Sequence, residues 1–311
     1  KELLYKLINA SVSSKTLSKS LLKDADKEFY YCLKEQTFLP MLYQVFKDER
    51  FFHYYASSHL IHEQFNKIVK EIQSILNENE IEHIFIKGSI LKNLYPDENV
   101  RMFGDIDFIV KEKEYKKTID ILKNKGFTFD LVSEHHTEMK KNGLLVEVHN
   151  KVFDAEDKGE KFFLYPFNHV IKIDKFSFAF EESFHFIYVL SHYAKHLISG
   201  AGIRPLLDIY LMMNNYNLNW SYIDDSLKQL KLEKFFDIVL NEISIIFNYS
   251  DHPYIENKNL ANELIDYSIN SGIHGNGINN NIINNRIKNK AGGNKFKYLL
   301  MKLFIPLKSL F

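Results

Sequence analysis

The sequence predicts an α+β protein, with an α/β core set between helical N-terminal and C-terminal regions. Three observations carry this. Apolar residues recur at helical spacing through the first eighty positions. Short β-rich runs bounded by turn residues begin at Glu82 and continue to about His149. Helical spacing then returns from Glu181 onward.

The helical start rests on Leu3, Leu4, Leu7 and Ile8, and on Leu39, Leu42, Tyr43 and Phe46, with Pro40 in a first turn where its missing N–H costs nothing. A long pattern from 51 to 79 puts Leu60, Ile61, Phe65, Ile68, Ile72 and Leu76 on one packed face. His83-Ile84-Phe85-Ile86 reads as a buried strand ending at Lys87-Gly88, followed by a short helix from Ser89 to Leu94. Asp105 to Val110 is a second strand, and a helix from Tyr115 to Lys125 closes at Gly126. Strands follow near 127–131, 137–140 and 144–149, then a mixed segment at 170–180. Further helices are expected at 181–198, 205–216, 223–230 and 234–247. The resulting division is 1–80, a helical N-terminal region; 81–180, the α/β core; 181–270, a helical C-terminal domain; 271–294, a flexible Asn- and Gly-rich linker; and 295–311, a basic amphipathic tail.

Composition narrows the function. The 311 residues carry 40 basic and 40 acidic side chains, so the excess cation that coats nucleic acid is missing and no strong nucleic-acid signal exists. The single Cys32 leaves no disulfide framework and no cysteine-based zinc site, which fits a reducing compartment. With no signal-peptide core and no run of eighteen apolar residues, the expectation is a cytoplasmic protein. The tail adds a second expectation. Phe296, Leu299, Leu300, Leu303 and Phe304 with Lys295, Lys297, Lys302 and Lys308 could pack on the protein itself or lie peripherally on an anionic membrane.

The chemistry-bearing segment is Lys87-Gly88-Ser89, fifteen residues, then Asp105-Ile106-Asp107. Period two places Asp105 and Asp107 on one strand face. Two such carboxylates repel unless a cation or proton lies between them, and Mg²⁺ with substrate phosphates is a common solution. Glu147 and His149 share one face of another strand, so adjacency of the two strands would bring three carboxylates together, enough for two metals. Gly88 would let backbone N–H groups approach a phosphate, with Ser89 adding a hydroxyl and Lys87 a charge. By itself, an Asp-x-Asp more often marks a solvated strand edge, and Lys87 could simply cover a strand end. Here the pair opens a buried apolar strand, where unpartnered carboxylates are costly.

This pattern resembles the nucleotidyltransferase superfamily built on the DNA polymerase β fold, and more narrowly the bacterial uncharacterised nucleotidyltransferase family. The residues that carry the likeness are Lys87-Gly88, Tyr95-Pro96-Asp97, Arg101, Asp105-Ile106-Asp107 and Val146-Glu147-Val148-His149. The resemblance implies a polymerase-β-like core, a mixed sheet with flanking helices. It implies an active enzyme that moves a nucleoside monophosphate from an NTP to an acceptor hydroxyl of a small molecule or sugar, a protein or RNA, releasing pyrophosphate. Asp105, Asp107 and Glu147 would be catalytic and hold Mg²⁺, with Mn²⁺ as a substitute. Gly88 and Ser89 would bind the triphosphate, with Lys87 and Arg101 stabilising its charge.

His185, His192 and His196 share a helical face. They fit polar contacts inside the helical region. They also fit a cleft wall on which His192, Lys195, His196, Arg204 and Asp208 face the nucleotide or the acceptor. Two other readings stand beside the enzyme: a regulatory module that holds nucleotide without turnover, and a toxin-like transferase acting on tRNA.

Overall fold

A computed structural model describes residues 1–132, 136–153, 159, 161–197 and 200–273. The tail 295–311, and the linker 271–294 beyond Ile273, lie outside the described residues. The elements in chain order are α1 (Glu2–Val12), α2 (Lys27–Glu35), α3 (Leu39–Phe46), α4 (Phe52–Glu78), β1 (His83–Ile86), α5 (Gly88–Leu91), β2 (Asp105–Val110), α6 (Glu112–Asn124), β3 (Thr128–Val132), β4 (His136–Lys141) and β5 (Leu144–His149). After them come β6 (Val170–Lys172), β7 (Ser177–Phe180), α7 (Glu182–Leu197), α8 (Arg204–Asn215), α9 (Trp220–Leu230), α10 (Glu233–Phe247) and α11 (Lys258–Ser271). Among the described residues no helix is long and apolar enough to cross a membrane.

The chain forms two compact units, residues 48–185 and residues 1–47 with 186–311. The first contains one mixed sheet in the order β3-β4-β5-β2-β1-β7-β6. β2 runs parallel to β5 and antiparallel to β1. One sheet face is apolar: Phe85, Ile106, Phe108, Val110, Met139, Val146 and Val148 form a single core with Phe65, Ile68, Ile72 and Leu76 of α4 and Ile119 and Leu122 of α6. α4 therefore clusters with the sheet rather than with the helices that precede it. Leu60 does not join this core and stays 63% exposed. At roughly 100° per residue it lies on the flank of the stripe that Ile61 and Phe65 define.

Period two sends the alternate residues of the same strands to the opposite face. That face carries Asp105, Asp107, Glu147 and His149 in β2 and β5, and His136 and Glu138 in β4. The β4–β5 hairpin turns through Asn142 (φ 52°) and Gly143 (φ 80°), the two left-handed residues of a tight two-residue turn. This turn pairs Lys141 with Leu144 and so pins the register, setting Glu138 against Glu147 and His136 against His149.

The other described unit is helical. Side-chain caps start α2 and α9: Asp26 accepts from Phe29 N–H at 2.8 Å, and Asn219 from Tyr222 N–H at 3.1 Å. Lys231 and Asn248 end α9 and α10 in the left-handed conformation. α10 is mostly buried, packing against α1, α8, α9 and α11. Its Glu242 is fully buried, and burial pushes that carboxyl well above its usual range. α11 was not foreseen, because its sequence is mostly polar. Only Ala261, Leu264, Ile265, Ser268 and Ser271 of α11 are buried. Gln36 ties this unit together, donating to the carbonyls of Ser268 and Ile269 at 2.9 Å and accepting from Ile203 N–H at 2.8 Å.

Candidate active site

The site is built on the polar face of the sheet. Asp107 and Glu147 are direct neighbours across the parallel β2–β5 pair. Asp107 is fully buried. Its Oδ1 accepts from Lys87 Nζ at 2.6 Å and from His149 Nε2 at 2.9 Å. Its Oδ2 is buried with no hydrogen-bond partner. Glu147 Oε2 lies 3.3 Å from His149 Nε2 and 3.8 Å from Lys87 Nζ.

Asp107 lies between the Lys87 ammonium and the His149 ring. Burial alone would raise its carboxyl, but the Lys87 ammonium and the His149 ring outweigh it and hold Asp107 well below the usual carboxylate range. Burial would likewise lower His149. Its bonds to Asp107 and Glu147 outweigh that and raise it. Two carboxylates thus face one ammonium and one ring inclined to hold a proton. A divalent cation carries the same two charges, and the orphan Oδ2 supplies a spare donor, so the residues fit a metal. Asp107, Glu147 and His149 each place a ligand atom within 4.8 Å of the others. Asp105 is half-buried at the head of the same strand face and is not among these three.

Lys87 reaches the cluster through an unusual backbone. It holds φ 52° and ψ −128° between β1 and α5, conformations that bulky residues rarely adopt. Gly88 follows because no side chain fits: a Cβ there would stand 2.6 Å from Phe103 Cβ and 3.2 Å from an Arg101 guanidinium nitrogen. Ser89 Oγ donates to the Ile86 carbonyl at 2.9 Å, closing the turn. α5 is a single turn, extended only by a 3-10 turn at Lys92–Leu94.

The segment that brings Arg101 and Phe103 over Gly88 is anchored on α4. Tyr55 donates to Asp97 at 2.9 Å, and Ser58 donates to the Asn99 carbonyl. Phe103 packs against Phe65, with ring centroids 4.4 Å apart, and edge-on against His62. Arg101 is itself buried. Two surroundings went unseen in the sequence: the bond from Lys87 to Asp107, and the pair His136 and Glu138 beside Glu147. For the pair a signal existed, since His136-Thr137-Glu138 mirrors Glu147-Val148-His149.

His192, Lys195 and His196 belong to the helical unit. There Lys195 and His196 are exposed and His192 is half-buried, with the two imidazole rings 4.2 Å apart.

A sequence profile for a family of uncharacterised nucleotidyltransferases matches residues 27–248. The chain belongs to this family. The α+β core of this nucleotidyltransferase, its mixed sheet and its flanking helices agree with that membership. Among curated proteins nothing matches. Among solved structures, the nucleotidyltransferase is similar to two of the antibiotic-resistance factor ANT(2″)-Ia. One is a solution structure, with 9% identity and TM-score 0.38, covering 53% of this chain and 88% of the other. The second is a crystal structure in complex with adenylyl-2″-tobramycin, with 8% identity and TM-score 0.40, covering 53% and 95%.

Proposed function

We propose that this nucleotidyltransferase moves a nucleoside monophosphate from an NTP to an acceptor hydroxyl, dependent on Mg²⁺ or Mn²⁺. The observation that carries the reading is the convergence of Asp107 and Glu147 from adjacent parallel strands, with Asp107 Oδ2 buried and unpartnered. Asp107 and Glu147 would hold the cation, with Asp105 at the strand head as a further carboxylate. When bound, that cation neutralises phosphate charge and lowers the pKa of the attacking hydroxyl.

The acceptor oxygen forms a bond to the α-phosphorus, and the bond from that phosphorus to the β-bridging oxygen breaks. Pyrophosphate leaves with the bonding pair. The hydroxyl proton passes to a carboxylate oxygen of Glu147, the more accessible of the paired carboxylates. Lys87 would supply an ammonium to the triphosphate, and Arg101 would support the same charge from the segment over Gly88. The turn at Gly88 and Ser89 offers backbone N–H groups to the phosphates.

The test is transfer of label from each α-³²P NTP, with Mg²⁺ or Mn²⁺, into lysate proteins, RNA or small molecules. Wild type transfers label, and Asp107→Asn loses at least a hundredfold while keeping its fold by circular dichroism. Equal transfer by both proteins sinks the assignment. Tight metal-dependent NTP binding without transfer would instead make the chain a nucleotide-holding module.

A further inference from the structure

The helical unit encloses a set of polar atoms that no direct bond satisfies. Both carboxyl oxygens of Glu242 and the hydroxyl oxygens of Tyr5, Tyr193 and Ser268 are buried with no hydrogen-bond partner. They come from α10, α1, α7 and α11. Asn9 donates to the Ile246 carbonyl, which joins α1 to α10, and one turn back from these residues stand Tyr5 and Glu242. Tyr193 packs its ring against Phe235 of α10, with centroids 5.5 Å apart. Ser268 stands beside the Tyr193 hydroxyl without bonding to it. Gln36 pins that stretch of α11 by donating to the Ser268 and Ile269 carbonyls. Glu242 also acts on both phenols. Burial, with Asp266 and Glu242 adding to it, pushes Tyr5 up to about 12, and burial with Glu242 pushes Tyr193 well above its usual value.

Two features say what these atoms hold. A hydroxyl in contact with a carboxyl donates to it, yet none of these hydroxyls bonds to Glu242 or to another. Polar groups so placed are the ones that internal water bridges, since leaving each of them dry costs more than a hydrogen bond returns. The second feature is charge. Burial is what acts on Glu242, and among the described residues no cation from α1, α7, α8, α9 or α11 offsets it. Asp266, which reaches Tyr5, is paired with Lys1 at the surface. A fully buried carboxylate without a counter-charge is costlier than the neutral acid.

We propose that Glu242, Tyr5, Tyr193 and Ser268 form an internal binding site for water, with Glu242 as the neutral acid that donates its proton into it. The site lies wholly in the helical unit and is independent of the carboxylates on the sheet. It makes the packing of α1, α7, α10 and α11 depend on a proton. The native state keeps a proton that the unfolded chain releases above 4.5, so the stability from this residue falls as the pH rises.

The experiment is urea unfolding of the full chain at pH 5, 6 and 7, read as the unfolding equilibrium constant. Glu242→Gln, the neutral isostere, folds, and relative to it the wild-type constant rises by up to about tenfold per pH unit. His62 contributes equally to both proteins and cancels. Tyr193→Phe raises the constant at pH 6 by about fivefold or more, because the hydroxyl's bond to water is lost. Failure of Glu242→Gln to fold, or a ratio that does not change with pH, overturns the neutral acid. Tyr193→Phe as stable as wild type, or more so, shows a dry hydroxyl and overturns the water. Stabilisation of wild type but not Glu242→Gln by K⁺ or Na⁺, against choline at equal ionic strength, means that a cation fills the site and overturns the proposal as well.

Discussion

The Lys87 ammonium lies 2.6 Å from Asp107 Oδ1 and 3.8 Å from Glu147 Oε2, so a side chain of this protein occupies the place between the two carboxylates. The arrangement accounts for a fully buried Asp107, since an isolated carboxylate in that position would be neutralised by protonation. Lys87 also maintains φ 52° to reach it, a backbone cost of about 1–3 kcal/mol.

Lys87 therefore competes with metal. Lys87→Met should bind Mn²⁺ about tenfold more tightly by calorimetry, because the incoming cation no longer displaces an ammonium. The same variant should transfer label more slowly, having lost a charge for the triphosphate. Weaker Mn²⁺ binding in Lys87→Met would show that the lysine supports the metal instead of excluding it.

Gly88→Ala should destabilise the sheet unit by roughly 1–3 kcal/mol, the usual cost of forcing extra volume into a packed region. The added Cβ meets Phe103 at its own Cβ and Cγ, 2.6 and 2.9 Å away, so rotating the ring does not relieve the contact. Urea unfolding is the measurement, and a midpoint equal to that of wild type would mean that residues 101–104 move aside freely.

His62 gives the protein an acid sensitivity away from the carboxylates. Burial, aided by the Lys92 ammonium, lowers its pKa from 6.5 to about 4, so the folded protein holds it neutral. Between those values the unfolded chain binds a proton that the native state does not. Stability from this residue is complete above about pH 6.5 and falls as the pH drops towards 4, by on the order of 2–3 kcal/mol. His62→Leu should flatten that slope in urea titrations at pH 7 and pH 4.5. An unchanged slope would assign the acid sensitivity to other groups.

Much of the site was legible because strand geometry is local. Alternation alone placed Asp105 with Asp107, and Glu147 with His149, on single faces. The Asn142-Gly143 dipeptide sits between two short runs, and its left-handed pair closes the hairpin. Leu60 shows the limit of such reasoning: apolar character put it on the packed face of α4, yet burial depends on what faces the helix. α11 was missed for the complementary reason, since a few buried small and aliphatic residues suffice when a neighbour such as α10 presents an apolar surface.

The sequence by itself determined the order of strands and helices along the core and which residues share a strand face, because both follow from periods of two and 3.6 along the chain. Tertiary structure decided that β5 lies beside β2 across an intervening helix and hairpin, so that Asp107 meets Glu147. It also decided that Lys87 turns back on a left-handed backbone to sit between them, and that the space beside Gly88 belongs to Phe103. Those contacts join residues far apart in sequence, and their energies come from burial and charge in a shared interior that no local period encodes.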